Sequence, residues 1–199
     1  MTKFNWPYIS TGIPDSAFIR GKTPMTKQEV RSITLSKLRL RPESIVVDVG
    51  AGTGSIAIEA ARLAVNGKVY AIEREPEALL LIEQNRQRFG VELEILPGEA
   101  TEQLVALQYF DRVVIGGSGG KLENIMHLCD ARLPDDGRMV VNAITLETAS
   151  RATEIFRTLQ YSEIEVVSIN IARGRLLGKS TLMEGMNPVT VVSAAKTER

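Results

Sequence analysis

The sequence predicts an α/β fold built around one mostly parallel, doubly wound sheet. Three observations support this prediction. Short apolar segments rich in β-branched residues alternate with segments of helical apolar spacing along most of the chain. The first apolar segment leads directly into a glycine-rich turn and a helical segment, as in open parallel sheets. The last two apolar segments have no helical segment between them, which predicts that they pair antiparallel.

An arm and a helix precede the first predicted strand. Residues 1–22 are polar and contain two prolines, so we expect an arm rather than a helix. Thr23 or Thr26 is predicted to cap the next helix, because Glu29 follows Thr26 in the spacing of a capping box. Apolar residues then recur at helical spacing until Pro42 ends the pattern.

The remaining residues predict a regular succession of strands and helices. Strands are predicted over residues 44–49, 68–73, 91–96, 112–115, 138–143, 162–171 and 189–194. Helices are predicted over residues 55–64, 76–89, 121–133 and 146–159, with a short helix before the fourth strand. We therefore expect one domain over residues 1–199, with an arm and helix in residues 1–42 and a seven-stranded core in residues 43–199. The last strand is expected to be antiparallel.

Composition and charge exclude several classes of function. Lys plus Arg and Asp plus Glu both number 24, so the formal net charge is zero. Non-specific nucleic-acid binders and membrane-surface binders need surplus positive charge, so we expect neither partner. The single cysteine and the single histidine cannot form an internal disulfide or a thiol-rich metal cluster. We see neither a membrane-spanning apolar run nor a secretion signal, and we expect a soluble, cytoplasmic protein without a metal site.

A nucleotide-like cofactor site is predicted at the turn after the first strand. Asp48 is followed by Gly50, Gly52 and Gly54, and glycine lets the main chain take positive backbone angles and approach a ligand closely. The helix that follows offers free N–H groups and a partial positive charge. Glu73 ends the second strand about 20 residues later, where an acid can accept hydrogen bonds from both ribose hydroxyls. The alternative is a tight structural turn beside a solvated Glu73.

The spacing of the glycines distinguishes between nucleotides. A dinucleotide-binding fingerprint needs a third glycine where this chain has Ser55. The pattern from Asp48 to Gly54 instead resembles the first motif of class I methyltransferases, which have a Rossmann-like fold and use S-adenosylmethionine (SAM). This resemblance implies SAM as the cofactor and S-adenosylhomocysteine as its product.

The same resemblance implies which residues bind the cofactor. They are Asp48, Gly50, Ala51, Gly52, Thr53 and Gly54 for the methionine part, Glu73 for the ribose, Gly98, Glu99 and Ala100 for the adenine, and Gly116 beside them. Many relatives have Asp in place of Glu99, so the main chain of Ala100 is the preferred adenine contact.

Longer stretches resemble one family, the decarboxylating precorrin methyltransferases of cobalamin biosynthesis. The matching stretches are residues 12–19, 24–31, 48–54, 116–120, 142–148, 170–175 and 187–189. The resemblance implies methylation of carbon 15 of cobalt-precorrin-6B or precorrin-6B, with loss of carbon dioxide from the ring C acetate, to give cobalt-precorrin-7. It also implies a homotetramer and a contact between Thr26 and SAM, and it allows an association with a second precorrin methyltransferase.

The tetrapyrrole substrate of that family is broad and carries many carboxylates. The candidate substrate-binding residues are Arg20, Gly117, Ser118, Gly119, Thr145, Arg173 and Arg175. Residues 116–120 have almost no side chains and leave room for a broad ligand, while the arginines, together with Lys22, are suited to carboxylates. The alternative for these cations is ordinary solvated surface charge. Thr145 is equally suited to capping a helix.

No pair of residues predicts general acid–base catalysis. A sulfonium methyl is already a good electrophile, so alignment with the nucleophilic carbon and exclusion of water can suffice. Decarboxylation mainly requires the macrocycle to accept electrons. His127 is predicted to be a packing or surface residue, and Cys129 a small buried hydrophobe.

Three other functions stay open at this point. The first is a methyltransferase of the same fold that acts on tRNA or protein. The second is a nicotinamide-dependent oxidoreductase, which Ser55 disfavours. The third is a non-catalytic SAM-binding partner of another corrin-pathway enzyme. The sequence also leaves open whether the natural substrate carries cobalt and whether methylation precedes decarboxylation.

Overall fold

The structure, a computed structural model, describes residues 4–198 as one sheet with helices on both sides and an added hairpin. The first three residues of the predicted arm and Arg199 lie outside the described residues. The strands are β1 (Ile45–Val49), β2 (Lys68–Glu73), β3 (Glu94–Pro97), β4 (Arg112–Ile115), β5 (Arg138–Ala143), β6 (Ser162–Ile169), β7 (Ala172–Leu177), β8 (Ser180–Gly185) and β9 (Val189–Ala195). The helices are α1 (Gln28–Leu38), α2 (Ser55–Leu63), α3 (Pro76–Phe89), α4 (Ala100–Ala106), α5 (Leu122–Asp130) and α6 (Leu146–Thr158).

The main sheet has seven strands in the order β3-β2-β1-β4-β5-β9-β6. Strands β1 to β5 form parallel pairs, and β9 lies antiparallel between β5 and β6. The predicted α/β fold, with a seven-stranded, mostly parallel sheet and an antiparallel last strand, is confirmed. The parallel order brings the carboxyl ends of β1, β2, β4 and β5 to one edge, where open α/β sheets bind ligands.

Helices cover both faces of the sheet. Strand β1 is buried at every residue but its first, because apolar layers lie above and below it. One apolar cluster contains Leu35, Ile58 and Ile82 from α1, α2 and α3. The other contains Ile125 and Ile155 from α5 and α6. None of the helices within residues 4–198 is long and apolar enough to span a membrane.

The start of α1 differs from the prediction. The helix begins at Gln28, and the side chain of its N-cap residue, Lys27, makes no capping hydrogen bond. The predicted cap at Thr23 or Thr26 is therefore wrong. The carbonyl oxygen of Thr26 accepts a hydrogen bond from the Arg31 guanidinium, which holds the main chain in place just before the helix.

The segment between β6 and β9 is a hairpin rather than the predicted loop. Strands β7 and β8 pair antiparallel, with Arg173 opposite Glu184 and Arg175 opposite Leu182. Gly178 has a φ of 62°, which suits the tight turn between the two strands. Nearly all hairpin residues are exposed, so the sequence lacks the alternation of apolar and polar residues that marks a half-buried strand.

The arm is tied to the core by a buried arginine. The guanidinium of Arg31 is fully buried and lies 3.0 Å from Asp15 Oδ1 and 2.8 Å from Glu59 Oε1. Glu59 also accepts hydrogen bonds from the main-chain N–H groups of Gly12 at 2.7 Å and Ile13 at 3.1 Å. These contacts make residues 12–15 part of the packed core, and removing one partner would leave a buried charge uncompensated.

Candidate functional site

A cavity of about 800 Å³ opens at the carboxyl edge of the sheet. Its walls come from the arm, the start of α1 and the turns after β1 to β5. The predicted site residues that line it are Arg20, Thr26, Asp48, Gly50, Ala51, Gly52, Glu73, Gly98, Glu99, Ala100, Gly116, Gly117, Ser118 and Gly119. The structure therefore brings most of the predicted site residues together in one cavity.

The turn after β1 needs its glycines for two reasons. Gly50, Gly52 and Gly54 have φ angles of 69°, 58° and 76°, which other residues adopt at a cost. A Cβ atom on Gly50 would lie 2.7 Å from the main chain of Gly117 in the turn after β4. The two turns therefore meet backbone to backbone, and the main chain itself forms this wall of the cavity.

Glu73 is held by main-chain donors. Its Oε2 accepts from the N–H of Gly52 at 2.8 Å, and its Oε1 accepts from the N–H groups of Arg74 at 2.8 Å and Glu75 at 3.0 Å. A carboxylate offers about four acceptor positions, so Oε2 keeps capacity for one more donor. The carboxylate is thus fixed in place at the end of β2 and can still accept a hydrogen bond from a ligand hydroxyl.

Asp48 is a buried carboxylate with an unused oxygen. Its Oδ2 accepts from the N–H of Ala57 at 3.1 Å, whereas Oδ1 has no hydrogen-bond partner among the described residues. Burial, together with the negative charge of Glu73, raises the pKa of Asp48 to about 7, although the Ala57 hydrogen bond opposes this. A positively charged group in the cavity would stabilise the ionised form, so the site fits a cationic ligand.

The side chain of Glu99 is already engaged in ion pairs. Its carboxylate lies 2.8 Å from Lys121 Nζ and 2.9 Å from Arg74 Nη1, and these cations lower its pKa. Ala100 begins α4, and the first N–H groups of a helix have no acceptor within the helix. The geometry therefore favours the main chain of Ala100 over the Glu99 carboxylate as a ligand contact.

Five predicted site residues do not line the cavity. Gly54 packs against Ile82 of α3, and Thr53 is buried behind the turn. Thr145 caps α6, because its Oγ1 accepts from the N–H of Thr148 at 3.2 Å. The capping alternative for Thr145 is therefore confirmed, and its neighbour Ile144 lines the cavity instead.

The two hairpin arginines also lie outside the cavity. The Nη2 of Arg173 lies 3.0 Å from Asp15 Oδ2 and 2.8 Å from Glu29 Oε2. The Nε of Arg175 lies 2.5 Å from Glu184 Oε1 in the opposite strand. Both guanidinium groups pair with carboxylates of this chain outside the cavity, and their expected contact with a bound substrate stays a prediction. Sequence reasoning could not foresee this, because the partners of Arg173 lie more than a hundred residues away.

The structure adds residues that sequence reasoning did not single out. Asn142 lies near the carboxyl end of strand β5 and lines the cavity, and its Oδ1 accepts a hydrogen bond from the Thr34 hydroxyl at 3.0 Å. Its Nδ2 has no hydrogen-bond partner within residues 4–198. Ile144 and Met186 add apolar lining to the same cavity. A polar residue at the carboxyl end of an apolar run was the available signal for Asn142.

The two remaining candidate residues lie away from the cavity. His127 is exposed on α5, and Cys129 is buried in the apolar cluster of the same helix. Burial raises the pKa of the Cys129 thiol well above its usual range. Both positions agree with the predicted packing or surface role of His127 and the predicted buried, hydrophobic role of Cys129.

The fold and the cavity define the class of protein first. The sheet has seven strands, with β9 antiparallel between β5 and β6. The glycine turn follows β1, and the acidic residue Glu73 ends β2. This is the arrangement of a class I methyltransferase. A SAM-dependent O-methyltransferase from Thermotoga maritima shares this fold at 19% identity, with a TM-score of 0.75, over 89% of this chain and 68% of its own.

The chain belongs to the precorrin methyltransferase family. The family model described as "Precorrin methyltransferase domain" matches residues 16–196. A protein of Pyrobaculum calidifontis named "Probable cobalt-precorrin-6B C(15)-methyltransferase (decarboxylating)" is 42% identical over 95% of this chain and 98% of its own. A protein of Saccharolobus solfataricus with the same name is 37% identical over 96% of this chain and 98% of its own.

Solved structures agree with this family. A precorrin-6y C5,15-methyltransferase from Geobacter metallireducens has a TM-score of 0.89 and 40% identity, over 95% of this chain and all of its own. A precorrin 8W decarboxylase from Methanobacterium thermoautotrophicum has a TM-score of 0.86 and 37% identity, over 92% of this chain and 99% of its own. The predicted resemblance to the decarboxylating precorrin methyltransferases is confirmed.

Proposed function

We propose that this protein uses SAM to methylate carbon 15 of cobalt-precorrin-6B, or of precorrin-6B, and releases the ring C acetate carboxyl as carbon dioxide. The product is cobalt-precorrin-7, or its metal-free counterpart, in cobalamin biosynthesis. The names of the relatives at 42% and 37% identity support this reaction. The observation that carries the proposal is the cradle of Asp48, the main chain of residues 50–52 and Glu73 in one cavity.

The residues of the cradle fit the parts of SAM. Asp48 would hold the ammonium end, since its buried Oδ1 otherwise has no described partner. Glu73 would hold the ribose through the acceptor capacity left on Oε2. Ala100 would offer its main-chain N–H to the adenine, and Gly116 and Thr26 line the same space.

Bound SAM supplies an electrophilic methyl group on a sulfonium sulfur. The residues of the cavity would orient the nucleophilic carbon toward that methyl group and exclude water between them. Gly117 and Gly119 line the cavity without side chains, so a broad ring can approach the main chain there. When carbon dioxide leaves, the conjugated macrocycle takes up the electron pair of the broken bond. We assign no general acid or base.

Incubation with SAM and cobalt-precorrin-6B, followed by mass spectrometry, tests the reaction. The expected product has gained one methylene and lost one carbon dioxide. A parallel incubation with metal-free precorrin-6B decides whether the substrate must carry cobalt. Binding of SAM without turnover of either compound would instead support a non-catalytic partner of a corrin-pathway enzyme, and tight binding of NAD would contradict the cofactor assignment.

We also propose a homotetrameric, cytoplasmic protein of one domain, able to associate with a second precorrin methyltransferase. The hairpin supports assembly, because Leu176 is 78% and Met183 61% exposed, with Leu177 and Leu182 beside them. Light scattering on the intact protein tests the tetramer, and the variant Leu176→Ser/Met183→Ser is expected to give a smaller species.

A further inference from the structure

Most basic side chains of this protein are already engaged. Within residues 4–198, nearly every Lys and Arg either pairs with an acid or donates to a main-chain carbonyl oxygen. The described cations with no such partner are Arg20, Lys22, Lys27, Arg157 and Lys179. In a chain of zero net charge, these few side chains are the cations available to a ligand.

Three of the available cations share one place. Arg20 and Lys22 at the end of the arm and Lys27 before α1 all line the cavity. Arg157 near the end of α6 and Lys179 at the hairpin turn do not line it. The uncompensated positive charge of the described chain is therefore concentrated on the arm side of the cavity.

The main chain that carries these cations is fixed. The N–H of Ile19 donates to Asn85 Oδ1 at 2.7 Å, and Asn85 Nδ2 donates to the Ile19 carbonyl oxygen at 3.0 Å. The N–H of Lys22 donates to Glu77 Oε1 at 2.9 Å. Both anchoring side chains belong to α3, so the backbone on either side of Arg20 is held while its side chain stays free. A ligand that binds there does not have to order the main chain.

The hairpin arginines lack this freedom. Arg173 forms ion pairs with the carboxylates of Asp15 and Glu29, and Arg175 forms one with Glu184. A ligand carboxylate that bound either guanidinium would share its positive charge with a carboxylate of this chain, although the other N–H groups of both side chains stay available. Arg173 and Arg175 do not line the cavity, whereas Arg20, Lys22 and Lys27 line it without a carboxylate partner among the described residues.

We infer that Arg20, Lys22 and Lys27 bind the carboxylates of a polyanionic, planar ring seated in the cavity. The inference rests on the proposed function for the class of substrate, and it names the residues that recognise it. Ile144 and Met186 line the same cavity and supply apolar contact for the body of such a ring. Separate cations suit a ring that carries carboxylates at several points of its rim.

Uroporphyrin, a planar tetrapyrrole with one acetate and one propionate on every pyrrole, is a stable probe of this inference. Its fluorescence can be titrated with the intact protein in the presence of saturating S-adenosylhomocysteine. The variant Arg20→Ala/Lys22→Ala/Lys27→Ala is expected to bind uroporphyrin on the order of 100-fold more weakly, about fivefold for each lost ion pair. Its affinity should also depend less on salt concentration.

The variant Arg157→Ala/Lys179→Ala is the matched control. It removes exposed, unpaired cations that lie away from the cavity, so its uroporphyrin affinity should equal that of the wild-type protein. Thermal unfolding of both variants shows whether they are folded at the temperature of the titration.

Several results would overturn the inference. Equal affinity of the wild-type protein and the triple variant, or no binding of uroporphyrin to the wild-type protein, removes the role of these cations. Loss of S-adenosylhomocysteine binding in the triple variant, measured by calorimetry, would show that the cations serve the cofactor instead. A wild-type protein that binds uroporphyrin but never SAM contradicts the proposed function and leaves the cation assignment standing, so the two failures are distinguishable.

Discussion

The protonation of Asp48 links the stability of the ligand-free protein to pH. Burial beside Glu73 raises the pKa of Asp48 from its ordinary value of 3.8 to about 7. The folded protein therefore holds this proton more tightly than the unfolded chain does. The resulting stabilisation is complete below the unfolded pKa and is lost as the pH rises through the folded pKa.

The structure gives the size of this effect. Each pH unit between the two pKa values costs about 1.4 kcal/mol of unfolding free energy. About two of the units between pH 5 and 8 lie below the folded pKa, so raising the pH from 5 to 8 costs about 3 kcal/mol from Asp48 alone. In Asp48→Asn the side chain stays neutral, and its oxygen can still accept from the N–H of Ala57. The variant is expected to lack this part of the pH dependence.

Urea unfolding of the wild-type protein and Asp48→Asn at pH 5, 6, 7 and 8 measures the effect. The difference in unfolding free energy between the two proteins should shift by about 3 kcal/mol in favour of the variant between pH 5 and 8. Other titrating groups largely cancel in this difference. SAM affinity of the wild-type protein should fall below pH 7, by at most about tenfold per pH unit, because the ligand requires the ionised carboxylate. A pH-independent difference in unfolding free energy would refute the reasoning.

Three further predictions concern the same structure. Gly50→Ala should lower the melting temperature and abolish SAM binding because its Cβ meets Gly117. Gly178 has a similar φ but open space around it, so Gly178→Ala should lower the free energy of unfolding by only about 1 kcal/mol. Equal losses of unfolding free energy in calorimetry would contradict the steric argument. Glu73→Gln should weaken SAM binding by about tenfold or more in titration calorimetry, while the exposed control Glu102→Gln should leave it unchanged. Arg173→Ala should raise the acid-unfolding midpoint, since the carboxylates that Arg173 stabilises protonate at higher pH, and it should leave uroporphyrin affinity unchanged.

Features with local causes were predictable from the sequence. The glycine turn was predictable because positive φ angles and close backbone contact both require residues such as Gly50. The sheet was predictable because strands buried on both faces need continuous apolar runs, as in β1. Capping by Thr145 was one of two alternatives, and the hydrogen bond to Thr148 decides between them.

Features that depend on distant contacts were not predictable. The ion pairs of Glu99 come from Arg74 and Lys121, which lie on separate turns that only the strand order brings together. Strand β3 begins later than predicted, because the N–H of Val91 donates to the Arg86 carbonyl oxygen and so closes the end of α3. The roles of individual residues in binding SAM and substrate stay predictions.

The enclosed guanidinium of Arg31 gives the N-terminal segment an unusual character. Chain ends normally fray, and their amide hydrogens exchange with solvent quickly. Here the N–H groups of Gly12 and Ile13 donate to the Glu59 carboxylate, which also pairs with Arg31. We therefore expect these amide hydrogens to exchange only when the surrounding core unfolds. Proteolytic removal of the residues up to and including Asp15 would leave Arg31 buried without that partner. The cost would be comparable to a large part of the stability of a domain. Residues 12–15 therefore behave, in energetic terms, as interior.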